Sequence, residues 1–265
     1  MLKGAGVDAI NIGDSPMARV RMGALGFGVL VQQRAGLEAI IHQTTRDRNL
    51  MALQADMLSA HALGLRNVIA LGGDPPPEAS QSSAVWDVDS IGFIRVLKRL
   101  NEGVDFAGNS IGGHTDFWIA AAANPTADDV ELELRRVRQK IEAGADALMT
   151  QPVYDAARVS EFLERLAASG PLEIPVILGI MPLVSYRNAE FVHNELAGVV
   201  VPAAVRARMQ RAGESGTAEG IEIALEHIEE TRALPSVGGI YIMPAFGRYE
   251  IAAEVTRRLA DAARA

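Results

Sequence analysis

Residues 37–71 read LEAIIHQTTRDRNLMALQADMLSAHALGLRNVIAL, and this stretch decides the class of fold. Leu37–His42 is a short apolar run of strand length. Arg48–Leu63 then carries apolar residues at helical spacing, and Arg66–Leu71 returns to a short apolar run. Gly64 stands just past the helical stretch, where a C-cap with positive φ suits glycine. A strand, a helix and a second strand, with the strands apolar almost without a break, read as neighbours in a parallel sheet covered on its outer face.

The same alternation runs outward in both directions. Further strands are expected at Val7–Ile12, Val104–Gly108, Ala145–Thr150, Ile174–Ile180 and Gly239–Met243. Helices are expected at Pro16–Gln33, Ile91–Leu100, Asp128–Ala143, Ala156–Ala168, Asn188–Leu196, Pro202–Ala212 and Thr217–Arg232, with Tyr249–Arg264 closing the chain. Gly36, Gly144 and Gly170 repeat the C-cap pattern of Gly64, and Pro16 suits a first helical turn. That makes seven strands, one short of the roughly eight that close a (β/α)₈ barrel. A doubly wound sheet would want a glycine-rich turn after its first strand, and Ile12-Gly13-Asp14-Ser15 is a poor match. The expected fold is therefore α/β, a TIM-type barrel over residues 1–265 as a single domain. Met1–Gly6 reads as the tail of a helix, so the first strand of the barrel is expected to be missing from this chain.

Composition narrows the function classes. Among 265 residues, 49% are apolar and 22% charged, as in ordinary globular proteins. The formal net charge of −8, with no basic run, argues against nucleic acid or an anionic membrane as partner. With no cysteine, the chain has no disulfide, thiolate zinc site, Fe–S cluster or cysteine nucleophile of its own, and a reducing cytoplasm is the expected location. Met22–Val31 is apolar but too short to span a bilayer. No histidine pairing has metal-ligand spacing, so no metal is expected.

Polar residues cluster where apolar strands stop. Asn11, His42, Gly72-Gly73-Asp74, Asn109, Thr150-Gln151 and Pro244–Arg248 all fall at or just past expected strand ends. In a barrel those ends share one rim, where catalysis sits. Each has a plainer reading as a solvated loop residue, and a lone histidine such as His42 is more often structural than catalytic. Asp74 follows two glycines and precedes three prolines, so its carboxylate is rigidly presented. Lys140, near a helix end, reads by spacing alone as a lysine compensating the helix dipole.

Five segments in order carry a resemblance. Ile41-His42-Gln43-Thr44-Thr45-Arg46-Asp47-Arg48-Asn49-Leu50 is followed by Asn67-Val68-Ile69-Ala70-Leu71-Gly72-Gly73-Asp74-Pro75-Pro76. Lys140–Asp146 with Thr150-Gln151-Pro152-Val153-Tyr154-Asp155, then Leu178–Leu183, then Ala245-Phe246-Gly247-Arg248-Tyr249-Glu250 complete the set. Together they resemble methylenetetrahydrofolate reductases over almost the whole chain, in particular the reductase domain that some bacteria fuse behind a homocysteine S-methyltransferase. The resemblance implies an oxidoreductase of one-carbon and methionine metabolism. FAD would be bound at the C-terminal rim, reduced by NAD(P)H or another donor and reoxidised by 5,10-methylenetetrahydrofolate; a homo-oligomer is compatible with it.

Carried over by position, His42, Gly73, Asp74 and Lys140 match flavin contacts, and Asp74 also meets the folate as the expected catalytic residue. Gln151 matches the residue that hydrogen-bonds the pterin, and Arg248 a folate-binding arginine. Asn11, Asn124 and Glu133 occupy flavin-contact positions with changed side chains. Gly72 replaces an arginine or threonine and Asn188 a glutamine, while Asn109 joins the cofactor set by its expected strand-end place. The family's proton donor is a glutamate in a Glu-x-x-Pro-Pro-Lys-like stretch of the first strand, and this chain has no such stretch. Two alternatives follow: an accessory flavin- or folate-binding barrel without the acid, and another TIM-barrel lyase or aldolase. The latter would want a Schiff-base lysine at a strand end or a late glycine-rich phosphate loop, and Lys140 and Gly238-Gly239 supply neither.

Overall fold

The computed structural model describes residues 1–196, 198–262 and 264. It is an α/β fold whose seven parallel strands follow chain order, with the alternation of a TIM-type barrel and one strand fewer. The strands are β1 (Ala9–Ile12), β2 (Glu38–Thr44), β3 (Asn67–Leu71), β4 (Trp118–Ala123), β5 (Ala147–Pro152), β6 (Val176–Ile180) and β7 (Val237–Ile242). The helices are α1 (Ala24–Ala35), α2 (Leu50–Ala62), α3 (Ser90–Asn101), α4 (Val130–Glu142), α5 (Ala156–Ala168), α6 (Tyr186–Glu195), α7 (Ala203–Ala212), α8 (Gly216–Thr231) and α9 (Tyr249–Ala262). No helix among the described residues is long and apolar enough to cross a membrane.

The chain divides into two compact units, and each has its own core. The first comprises Asp8–Ala122 with Gln139–Ala147. Here β1 pairs with β2, β2 with β3 and β3 with β4, all parallel. Ala39, Ile41 and Gln43 on one face of β2 are buried. α1 lies against that face so closely that a Cβ on Gly28 would stand 2.9 Å from Ile41 Cγ2. Alternation along the strand then puts His42, with Ile40, on the opposite face. α3 buries Ile91, Phe93, Ile94, Val96, Leu97 and Leu100 along one stripe, the spacing that lets a helix cover a sheet. Asn49 caps α2 and Asp89 caps α3, each accepting a main-chain N–H at 2.8 Å.

The second unit comprises Met1–Val7, Ala123–Arg138 and Leu148–Ala265. β5 pairs with β6 and β6 with β7, again parallel. The C-terminal ends of β5 and β6 are laced together: Gly179 N–H donates to Thr150 Oγ1 at 2.8 Å and Val153 N–H to the Gly179 oxygen at 3.2 Å. Leu183, Ala189, Val192, Val199, Val201, Met209 and Ile223 form a buried apolar cluster joining α6, α7 and α8. Asp155 caps α5 and Ser185 caps α6.

Two sequence expectations are corrected. Val104–Gly108 is not a strand. Val104 makes an isolated antiparallel bridge to Ser110, and Asp105 closes the turn by accepting the main-chain and side-chain N–H groups of Asn109 at 2.7 and 2.9 Å. The fourth strand is instead Trp118–Ala123, whose run of four alanines has weak β propensity and escapes a reading by composition. Pro16–Gln33 is likewise not one helix. Pro16 does open a turn, but a single 3₁₀ turn, with Ser15, Met17 and Ala18 at positive φ, and α1 begins only at Ala24. The other strands and helices stand where expected to within a few residues, and Gly36, Gly64, Gly144 and Gly170 all carry positive φ.

Candidate functional site

In the first unit Asn11 and His42 lie near the C-terminal ends of the paired strands β1 and β2, and Gly72-Gly73-Asp74 opens the loop after β3. His42 Nε2 lies 3.4 Å from Asn11 Oδ1. Burial pushes the imidazole down to about 4, against a smaller opposing pull from Asp14, so the ring is neutral near pH 7. Gly73 takes φ 85°, and a Cβ there would stand 3.0 Å from Thr44 Cβ and 3.1 Å from Arg46 Cβ. The glycine therefore lets the loop after β3 press onto the end of β2. Asp74, next in sequence, is exposed, and one carboxylate oxygen accepts the Met17 N–H at 2.8 Å.

Lys140 is buried, and its ammonium donates to the Ala122 main-chain oxygen at 2.6 Å, beside the C-terminal end of β4. A solvated, dipole-compensating lysine would not be buried this way. Asn109 sits differently. It precedes β4 instead of following it, and its side chain is engaged by Asp105. Its expected place at the C-terminal end of a strand is thereby corrected.

The loops of this unit are held by charged groups outside the expected site residues. Asp14 is buried, and its Oδ2 accepts from Thr44 N, Thr44 Oγ1 and Arg48 Nη1 at 3.0, 2.8 and 2.9 Å. Arg48 Nε also reaches Asp56 at 2.8 Å, and the Gln43 amide oxygen faces Arg48 Nε and Nη1 at 3.0 Å. Arg46, 2% exposed, forms a fork with both Asp47 oxygens at 2.7 and 2.6 Å. Its Nη1 points to the main-chain oxygens of Ser15 and Asp74 at 3.4 and 3.5 Å. That fork raises the guanidinium pKa and lowers that of Asp47, so both stay charged. Trp86 Nε1 donates to the Gly72 oxygen at 2.8 Å, Val85 N–H to the Arg46 oxygen at 2.8 Å, and Leu50 N–H to Asp87 Oδ2 at 2.8 Å. The proline-rich loop is thus pinned at its far end. One signal for this network was visible: an Arg46-Asp47-Arg48 triplet of alternating sign directly after a buried strand.

In the second unit Gln151 is exposed between buried Thr150 and Pro152 at the end of β5. An exposed amide in an otherwise buried strand offers both a donor and an acceptor to a ligand. Arg248 follows β7, its Nε donating to Glu250 at 2.9 Å and its Nη1 to Thr217 Oγ1 at 3.1 Å. The Arg248 hydrogen bond lowers the pKa of Glu250. Phe191 on α6 and Phe246 beside Arg248 are exposed, with ring centroids 6.5 Å apart and planes tilted by 43°. Phe246 holds φ 54°, a conformation uncommon for a non-glycine residue.

Asn188 is buried, and its Oδ1 accepts from Val184 N–H at 3.1 Å in the first turn of α6. Asn124 is tied to Glu133, whose Oε1 accepts the Asn124 N–H at 2.9 Å, while Asn124 Oδ1 accepts from Thr126 N–H at 3.0 Å. These two flavin-position candidates thus stand together and brace the loop between β4 and α4.

Comparison with known proteins agrees with the resemblance. Residues 3–256 match the family model described as Methylenetetrahydrofolate reductase. Methylenetetrahydrofolate reductase 2 of Saccharomyces cerevisiae is 31% identical over 161 residues, 58% of this chain and 25% of that protein. The 5,10-methylenetetrahydrofolate reductase of Salmonella typhimurium is 26% identical over 164 residues, 60% of this chain and 49% of the enzyme. That of Escherichia coli is 25% identical over 177 residues, 65% of this chain and 53% of the enzyme. The matched stretches thus span about half the length of the bacterial relatives and a quarter of the yeast one. Among solved structures, a Clostridium thermocellum protein described as binding two copies of 5-methyl-5,6,7,8-tetrahydrofolic acid superposes with a TM-score of 0.64 at 13% identity, covering 97% of this chain and 85% of that one. A phosphoenolpyruvate phosphomutase from Streptomyces platensis subsp. rosaceus superposes at 0.51 and 15% identity, covering 99% of this chain and 77% of that one. At these identities both show the fold alone. With nearly its full length matched by the family model, the chain belongs to the methylenetetrahydrofolate reductase family.

Proposed function

We propose that this chain binds FAD and reduces 5,10-methylenetetrahydrofolate to 5-methyltetrahydrofolate, drawing on NAD(P)H and supplying methyl groups for methionine synthesis in the cytoplasm. The observation that carries the reading is Gln151, an exposed amide at the end of the otherwise buried β5, at the position that in the family meets the pterin. It is supported by the bacterial relatives, which are named for this reaction, and by the tetrahydrofolate-binding neighbour in fold.

The residue chemistry fits a flavin. A neutral imidazole and an amide at His42 and Asn11, a rigidly presented carboxylate at Asp74 and a buried ammonium at Lys140 suit the mixed carbonyl and N–H edge of an isoalloxazine ring. Gly73 supplies the close backbone approach. When bound, the flavin would supply hydride to the one-carbon unit of the folate, and the proton taken by N10 as the ring opens would come from solvent. Gln151 would then orient the pterin. Arg248 would pair with an anionic folate tail. The exposed Phe191 and Phe246 rings offer a face for a flat aromatic system.

The test is turnover with product identification, paired with Gln151→Ala in separated half-reactions. Losing a specific hydrogen bond should weaken folate-dependent flavin oxidation by about 0.5–1.5 kcal/mol, or several-fold, and leave reduction by NAD(P)H unchanged. Equal damage to both half-reactions would remove Gln151 from the folate site.

A further inference from the structure

His227 lies on α8 with 6% of its surface exposed, and its Nε2 is buried with no hydrogen-bond partner among the described residues. Buried polar atoms are almost always paired, with protein or with ordered water, so an orphan of this kind points to something that completes it. Beside it is a cavity of about 10 Å³, lined by Val153, Tyr154, Ile180, Met181, Ile223 and His227 among others. That is roughly the space one water requires, and too little for anything larger. No charged side chain lines it. Burial lowers the His227 pKa, with the field of Asp155 acting weakly against it, so the ring is neutral near pH 7 and the site suits a neutral occupant.

The second polar group on the wall is Tyr154. Its hydroxyl donates to the Met181 main-chain oxygen at 2.8 Å, which uses its one proton and leaves its oxygen to accept. A neutral imidazole protonated at Nδ1 also accepts at Nε2. With the ring in that tautomer, His227 Nε2 and Tyr154 Oη are both acceptors, and a molecule with two donors would complete them. We infer that this cavity is a site for a single ordered water, which donates to His227 Nε2 and to Tyr154 Oη. Such a water joins α8 to the ends of β5 and β6 and completes the hydrogen bonding of both side chains. The inference is independent of the proposed reaction, because every group in it belongs to the wall of the second unit and none is assigned to folate or flavin.

A crystal structure at about 1.5 Å or better tests it directly. The expected result is one spherical density peak within about 2.7–3.2 Å of both His227 Nε2 and Tyr154 Oη. In solution, ¹⁵N shifts should report His227 as the neutral Nδ1–H tautomer, with cross-relaxation between the ring and a slowly exchanging water. In His227→Leu the density should be lost or displaced while the backbone around it is retained. A well-ordered cavity without density, density bonded to neither group, or a His227 protonated at Nε2 would overturn the assignment. The wild-type measurements stand alone if the variant fails to fold.

Discussion

Lys140 Nζ donates a 2.6 Å hydrogen bond to the main-chain oxygen of Ala122. This ties the last turn of α4 to the end of β4 and places a buried ammonium beside a strand end. Lys140→Met keeps the aliphatic stem, removes the charge and strands the Ala122 carbonyl. The variant should lose about 1–3 kcal/mol of stability by chemical denaturation. FAD affinity in a fluorescence titration should fall by roughly tenfold, the loss of about one charge-assisted hydrogen bond. An unchanged affinity with reduced stability would leave Lys140 a packing residue only.

His42 makes a pH prediction. Its folded pKa of about 4 lies below the ordinary histidine value of 6.5. Between those values the unfolded chain binds more protons than the folded one, so this group's contribution is complete above about pH 6.5 and is lost as pH falls toward 4. Urea denaturation of wild type and His42→Gln at pH 7.5 and 4.5 isolates it. The wild type should lose about 1–3 kcal/mol more than the variant on acidification. Parallel losses would place His42 in a solvated, ordinary environment.

Two helical glycines should respond to alanine with opposite signs. A Cβ on Gly220 in α8 would lie 1.7 Å from the Leu183 main-chain oxygen, so the helix rests directly on that backbone. Gly220→Ala should cost about 1–3 kcal/mol or more from overpacking, outweighing alanine's better helix propensity. On α1, Gly26 is exposed and has only Met22 Cε within reach, at 3.8 Å, an ordinary contact. Gly26→Ala should stabilise by about 0.5–1 kcal/mol. Thermal melts of the two variants check both signs, and a stabilised Gly220→Ala would refute the close α8 packing.

What was legible depended on whether a segment's own residues determine its state. α5, with its Asp155 cap and strong apolar stripe, falls where periodicity puts it. Seven strands is the right count with one wrong member: composition favours Val104–Gly108 over Trp118–Ala123, because alanine signals helix locally while a tightly packed parallel sheet accepts it. Asn109 therefore precedes β4 instead of following it. The Arg46-Asp47-Arg48 triplet is visible in the sequence, but the long-range contacts of Arg48 with Asp14 and of Arg46 with the Ser15 and Asp74 oxygens are not. Loops after three different strands must meet before these contacts form, and no single segment carries that information.

The most direct test of the central claim is anaerobic stopped-flow of the FAD-reconstituted chain with its flavin reduced. On mixing with 5,10-methylenetetrahydrofolate, the oxidised flavin absorbance should return in a saturable single phase, and 5-methyltetrahydrofolate should form in equal amount to the flavin oxidised. A chain that retains no flavin after reconstitution, or a bound reduced flavin that the folate leaves reduced, would contradict the account.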